Sequence, residues 1–177
     1  MGLEAVFTVL EGGSTYHAQV EVVDTESHAF HERGVLGERI PLVVENISVR
    51  GAEGQVAFEK PEPSLITFPR GDYLINYSGT IRDNTLQAEF EDPTDVTVYL
   101  PPGLDVRNPL IGMVSQGGTA EEINNSVLIR WEDTQLVECR FYEPGRERGL
   151  YIFGTFWLAL CAILLIPFLL SRGRRGG

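Results

Sequence analysis

The sequence predicts a mainly β protein, an antiparallel β-sandwich of Ig-like general architecture, followed by one C-terminal transmembrane α-helix. Three observations lead there. Short runs of β-branched and aromatic residues recur through residues 1–149, separated by turn residues. No segment before Leu150 sustains helical periodicity for three turns. Residues 150–170, by contrast, form a run of 21 without a charge. A helix rising about 1.5 Å per residue carries that run across the hydrocarbon of a bilayer.

Taken in order, residues 5–10 and 18–23 read as strands, and Gly12-Gly13 between them suits a hairpin turn. Residues 24–37 are polar, contain histidines and end in glycines, so a loop or short helix is expected there. Further strands are expected at 42–49, 55–59 and 65–68. Those at 73–77 and 85–91 flank residues 79–84, which read as a hairpin. Strands at 96–100, 127–131 and 137–142 complete the set, the last two alternating apolar and polar positions as half-buried strands do. The segment Pro61-Glu-Pro63 is where a division into two small β-subdomains would fall. The expected organisation is therefore an acidic β-domain at 1–149, a membrane helix at 150–170 and a short basic tail at 171–177.

A buried core helix is the alternative for 150–170, but such helices carry a polar stripe and this run is apolar on every side. Tyr151 and Trp157 suit the aromatic belt near one interface, and Thr155 and Ala159 sit at the spacing of a close helix–helix approach. Pro167 falls in the last turn, where it breaks few backbone bonds. The tail carries three arginines, against Arg146 and Arg148 on the other flank, so the charge rule points the C-terminus to the cytoplasm and the domain outward. Three sequons, at Asn46, Asn76 and Asn124, agree with an outside location. Residues 1–10 carry Glu4 and no basic segment, unlike a signal peptide, so a missing leader, translocation by the terminal helix and a cytoplasm-facing tail anchor all stay open.

Composition removes several function classes. Residues 1–149 hold eleven Lys and Arg against 25 acids, a net charge of −14. That field repels nucleic acid, so no nucleic-acid partner is expected. The two cysteines, Cys139 and Cys161, allow no disulfide within the domain and no paired-cysteine zinc site. Neither a nucleophile elbow nor a phosphate-binding glycine loop occurs. No cofactor is expected, and the chain does not read as an enzyme.

Chemistry-bearing groups are few. His28 and His31, with Glu32 or Glu26, are the candidate metal ligands, exposed loop histidines being the plainer reading. Glu89, Glu91, Asp92 and Asp95 are candidate calcium ligands whose spacing fits no EF-hand, and a solvated turn explains them as well. Arg70-Gly-Asp72 has the form of an adhesion tripeptide, although Gly71 also serves as a turn residue. Leu110, Ile111, Met113 and Val114 lie in a long apolar connection between prolines and glycines, and either pack beneath the sandwich or form a docking loop.

Four segments then occur in order: Val98-Tyr-Leu-Pro-Pro-Gly-Leu104, Pro109-Leu-Ile-Gly-Met-Val-Ser-Gln-Gly-Gly118, Ile129-Arg-Trp131 and Arg140-Phe-Tyr142. Together with the terminal helix they resemble an uncharacterised family of archaeal membrane-anchored proteins over roughly the last 80 residues. Its members typically begin with an export signal or lipoprotein leader, which residues 1–10 do not match. The resemblance implies a surface location without a known activity. The expected function is a binding or structural module of the cell envelope, joined to the bilayer and to an envelope or membrane protein. The alternatives are an accessory subunit of a membrane complex and a metal-dependent activity at His28 and His31.

Overall fold

A computed structural model describes residues 2–34 and 36–173, with side chains as far as Ile166. The strands are β1 (Leu3–Val9), β2 (Thr15–Ala29), β3 (His31–Arg33), β4 (Arg39–Pro41), β5 (Glu45–Gly51) and β6 (Gly54–Val56). They continue as β7 (Glu59–Glu62), β8 (Leu65–Thr80), β9 (Thr85–Leu100), β10 (Met113–Val114), β11 (Thr119–Ile123) and β12 (Ser126–Arg140), and α1 (Pro144–Gly173) follows. Residues 1–142 form one compact unit, so no division occurs at Pro61-Glu-Pro63, and Pro61 itself lies in β7. Residues 143–177 form the second unit.

The mainly β architecture is as the sequence implies, but its strands are longer. The pairs expected at 65–68 with 73–77, 85–91 with 96–100, and 127–131 with 137–142 are each one continuous strand. Both β2 and β12 bend at an Asp-Thr pair. Asp24 and Asp133 take positive φ, 52° and 51°, which Asp tolerates better than most residues. Each donates its N–H to a carboxylate on the neighbouring strand, Asp24 to Asp72 and Asp133 to Asp95, both at 2.9 Å. Strand register shifts at both places, as it does at a β-bulge. This also corrects the loop or helix expected at 24–37, because β2 runs through the bend to Ala29 and β3 follows at once.

Arg70-Gly-Asp72 belongs to the same device. Arg70 donates two 2.7 Å bonds to the Asp24 carboxylate, holding its pKa below the usual carboxylate range, while Asp72 accepts the Asp24 N–H. The tripeptide thus anchors a strand bend.

The bends let four strands serve two layers. In one layer the order is β11-β12-β9-β1-β2-β8-β5-β6, using the early part of β2 and β12 and the late part of β8 and β9. The remaining halves pair only with one another and with β7 or β10. Ile66, Phe68, Leu86 and Val137 from these halves share a single buried core with Phe7, Val20, Ile75, Val98 and Ile129 from the main layer. The arrangement is sandwich-like, its cohesion coming from that shared apolar interior.

Two connections differ from expectation. β1 and β2 form the expected hairpin, with Val9 opposite Tyr16. Residues 79–84, however, do not close a hairpin, since β1 and β2 lie between β8 and β9 in the sheet. The segment instead carries the chain across, Ile81 donating its N–H to the Ser14 carbonyl at 2.8 Å. In addition, β1 runs parallel to β9. A two-residue Asn124-Asn125 turn, φ 52° and 67°, closes β11 onto β12 with the geometry such hairpins favour.

Among the described residues α1 is the single helix long and apolar enough to cross a membrane, and it begins six residues before the uncharged run. None of its most apolar window, within Pro144–Ile166, is buried against protein. Thr155 donates its hydroxyl to the Tyr151 and Ile152 carbonyls, which occupies it within its own helix.

Candidate functional site

The histidines lie on β2 and β3, with Phe30 buried between them. His28 packs edge-on against Phe30, ring centroids 4.9 Å apart. Phe30 meets Tyr77, Tyr77 meets Tyr16 and Tyr16 meets Phe7, a run of rings leading into the core. Burial, with the nearby His31 adding to it, pushes the His28 imidazole down to about 4. His31 Nε2 is buried without a hydrogen-bond partner, 3.9 Å from Glu89 Oε2. Glu89 Oε1 accepts from Arg39 Nη2 at 2.9 Å and from Nε at 3.2 Å. Glu32 faces Arg82 at 3.9 Å, and Glu26 is exposed. No group of three His, Cys, Asp or Glu side chains comes together in metal-holding geometry among the described residues. The acids at 89–95 are likewise dispersed: Glu89 serves Arg39, while Asp95 serves the β12 bend.

The apolar connection is mostly packed. Met113 and Val114 form β10 against the end of β12 and are half-buried, as is Ile111. Ser115 Oγ accepts both the Trp131 indole N–H and the Glu138 backbone N–H at 3.0 Å. A Cβ on Gly112 would collide with the Val106 carbonyl, so only glycine fits there. Of the four candidate docking residues, Leu110 alone stands clear, 77% exposed. The sequon asparagines differ in setting. Asn46 and Asn124 are exposed at positive φ, whereas Asn76 is half-buried in β8 between β2 and β5.

Sequence reasoning missed the feature that the fold assembles from distant segments. The β3–β4 hairpin borders a cleft of about 800 Å³. Arg33 comes from β3, Arg82 from the β8–β9 link and Arg140 from the end of β12, and all three line it. Glu32, Asp83 and Glu138 border it too. Arg82 contacts Glu32 only at 3.9 Å, while Arg33 and Arg140 make no ion pair among the described residues. Tyr16 also lines the cleft, yet it is only 4% exposed. It lies over Gly79, its partner across the strand pair, where a Cβ would collide with the phenol. Burial, then the charge of Glu32, pushes this phenol well up, so the hydroxyl keeps its proton and remains a donor. Among the described residues it has no hydrogen-bond partner, and it is not fully buried, so water reaches it. Arg33 is shared with a neighbouring recess of about 450 Å³ that includes Arg39 and Glu89.

Fold and site together define a β-sandwich with a charged cleft beside a small hairpin, joined to a candidate membrane-spanning helix. The chain belongs to DUF5803, a family of unknown function that matches residues 3–170, and so extends over the first 95 residues as well as the motifs after them. No curated protein matches it.

Proposed function

We propose that the chain is a membrane-anchored binding module of the cell envelope. In this reading α1 holds the β-sandwich at the outer face of the membrane, and the cleft beside the β3–β4 hairpin takes the ligand. The observation that carries it is α1 itself: its apolar window has a mean hydropathy of 2.2 and no buried part. A helix of that kind has no stable place in water, and lipid satisfies its surface while its backbone bonds stay internal. The arginines beyond residue 170 support an outward domain, as do the exposed sequons at Asn46 and Asn124. Resemblance to archaeal surface proteins supports the envelope setting.

Protease treatment of intact cells carrying an N-terminal epitope tag tests the orientation. Loss of the tag while a cytoplasmic marker survives is the expected result. Protection until lysis would reverse the topology, leave a cytoplasm-facing tail anchor and remove glycosylation from consideration.

A further inference from the structure

We infer that the cleft beside the β3–β4 hairpin binds a small oxyanion, a carboxylate or phosphate group, between the Tyr16 hydroxyl and the guanidinium groups of Arg33, Arg82 and Arg140. This deepens the binding-module reading and rests on it.

The first support is Tyr16. The Tyr16 ring is buried, but its hydroxyl is not one of the fully buried atoms left without a partner, so it is a donor open to the solvent. Tyr16 is 4% exposed, borders the cleft and has no acceptor among the described residues. A ligand oxygen in the cleft takes the place of water as its acceptor.

The second support is the distribution of cations. Residues 1–142 hold nine Lys and Arg against 23 acids. Three of the nine converge here from three separate elements, and two of them have no ion pair among the described residues despite that excess of acid. Guanidinium groups present paired N–H donors that match the two oxygens of a carboxylate or phosphate. At about 800 Å³ the cleft is also of the size that small ligands occupy.

The three bordering acids limit the charge that the cleft accepts. With Glu32, Asp83 and Glu138 against three arginines, its formal balance is zero. That balance suits a small mono- or dianion and disfavours an extended polyanion. Glu32, beside both Arg82 and Tyr16, competes with the ligand for the same donors.

The test is calorimetric titration of the full chain in maltoside micelles, with inorganic phosphate in one arm, succinate in a second and the neutral trisaccharide raffinose in a third. One saturable site for phosphate or succinate is expected, and the preferred arm identifies the source. Arg33→Gln and Arg140→Gln should each weaken it by about tenfold or more, the loss of a charged hydrogen bond. Tyr16→Phe should weaken binding with an unchanged melting temperature, because its hydroxyl holds nothing in the fold. Glu32→Gln should tighten it. No saturable anion binding by the parent chain, or binding unaltered in Tyr16→Phe and Arg140→Gln, overturns the inference. Saturation by raffinose with neither anion bound overturns it too, while leaving the binding module standing.

Discussion

His28 links the interior to pH. Its folded-state pKa, about 4, lies below the ordinary value of 6.5, so the unfolded chain takes up the proton first. Stability is therefore complete above about pH 6.5, declines as pH falls toward 4 and levels off below that. The expected loss across this window is about 2 kcal/mol, somewhat less than the full shift implies because the ring is partly solvated. Urea midpoints measured at pH 7 and pH 4 check it, and His28→Gln should flatten the difference. A steady or rising midpoint toward pH 4 would contradict the burial argument. Cys139 makes the opposite kind of prediction: burial pushes its thiol up to about 12, which leaves almost no thiolate at neutral pH. In a Cys161→Ser background, thiol reagents should label Cys139 only once the chain is unfolded. At this scale the sequence shows which residues carry chemistry but not what meets them. His31 and Glu89 are 58 residues apart in the chain and 3.9 Å apart in the fold, and the three cleft arginines are spread from residue 33 to residue 140.

Among the elements, the bent strands explain why sequence patterning divided each long strand in two. Asp24-Thr25, Pro69-Arg70-Gly71, Pro93-Thr94 and Asp133-Thr134 have turn composition, yet the chain continues through them as strand because each bend is held from the side. The hairpin expected at 79–84 failed for a related reason: local turn signals cannot report that β1 and β2 lie between β8 and β9. The bend geometry has a measurable cost. At Asp133, with φ 51°, substitution by Ala should destabilise by about 1 kcal/mol, the penalty for a Cβ in the left-handed region without a polar side chain to offset it. Asp133→Gly should recover most of that in a denaturation series. Equal losses in the two variants would shift the importance from the backbone to the carboxylate. The main sheet also contains a repulsive row. Glu4 lies opposite Asp95, and its N–H donates to Glu21 Oε2 on the other side at 3.3 Å, which gathers three acids across adjacent strands. Glu4→Gln should stabilise the fold by about 0.5 kcal/mol at low salt, a gain that shrinks as salt screens the parent.

For the whole molecule, the class of fold and the terminal helix could be read from patterning alone, because alternation and a long uncharged run are local properties. The parallel partner of β1 could not, nor could the cleft, since both arise from where distant segments meet. Anchoring has its own test. Leu158, 71% exposed within α1, replaced by Arg should cost about 3 kcal/mol of insertion and move protein from the membrane pellet to the soluble or aggregated fraction. Unchanged retention would mean that the helix is not what holds the chain there. The position of β1 bears on biosynthesis. Leu3 pairs beside Thr94, 91 residues downstream, and its other neighbour is β2. β1 is thus a central strand, incomplete on one side until β9 has been synthesised. β12, which covers β9, is made just before α1. Nascent chains therefore carry an open edge on β1 until β9 is made, and on β9 until β12 is made, so the main sheet closes only just before α1 is synthesised.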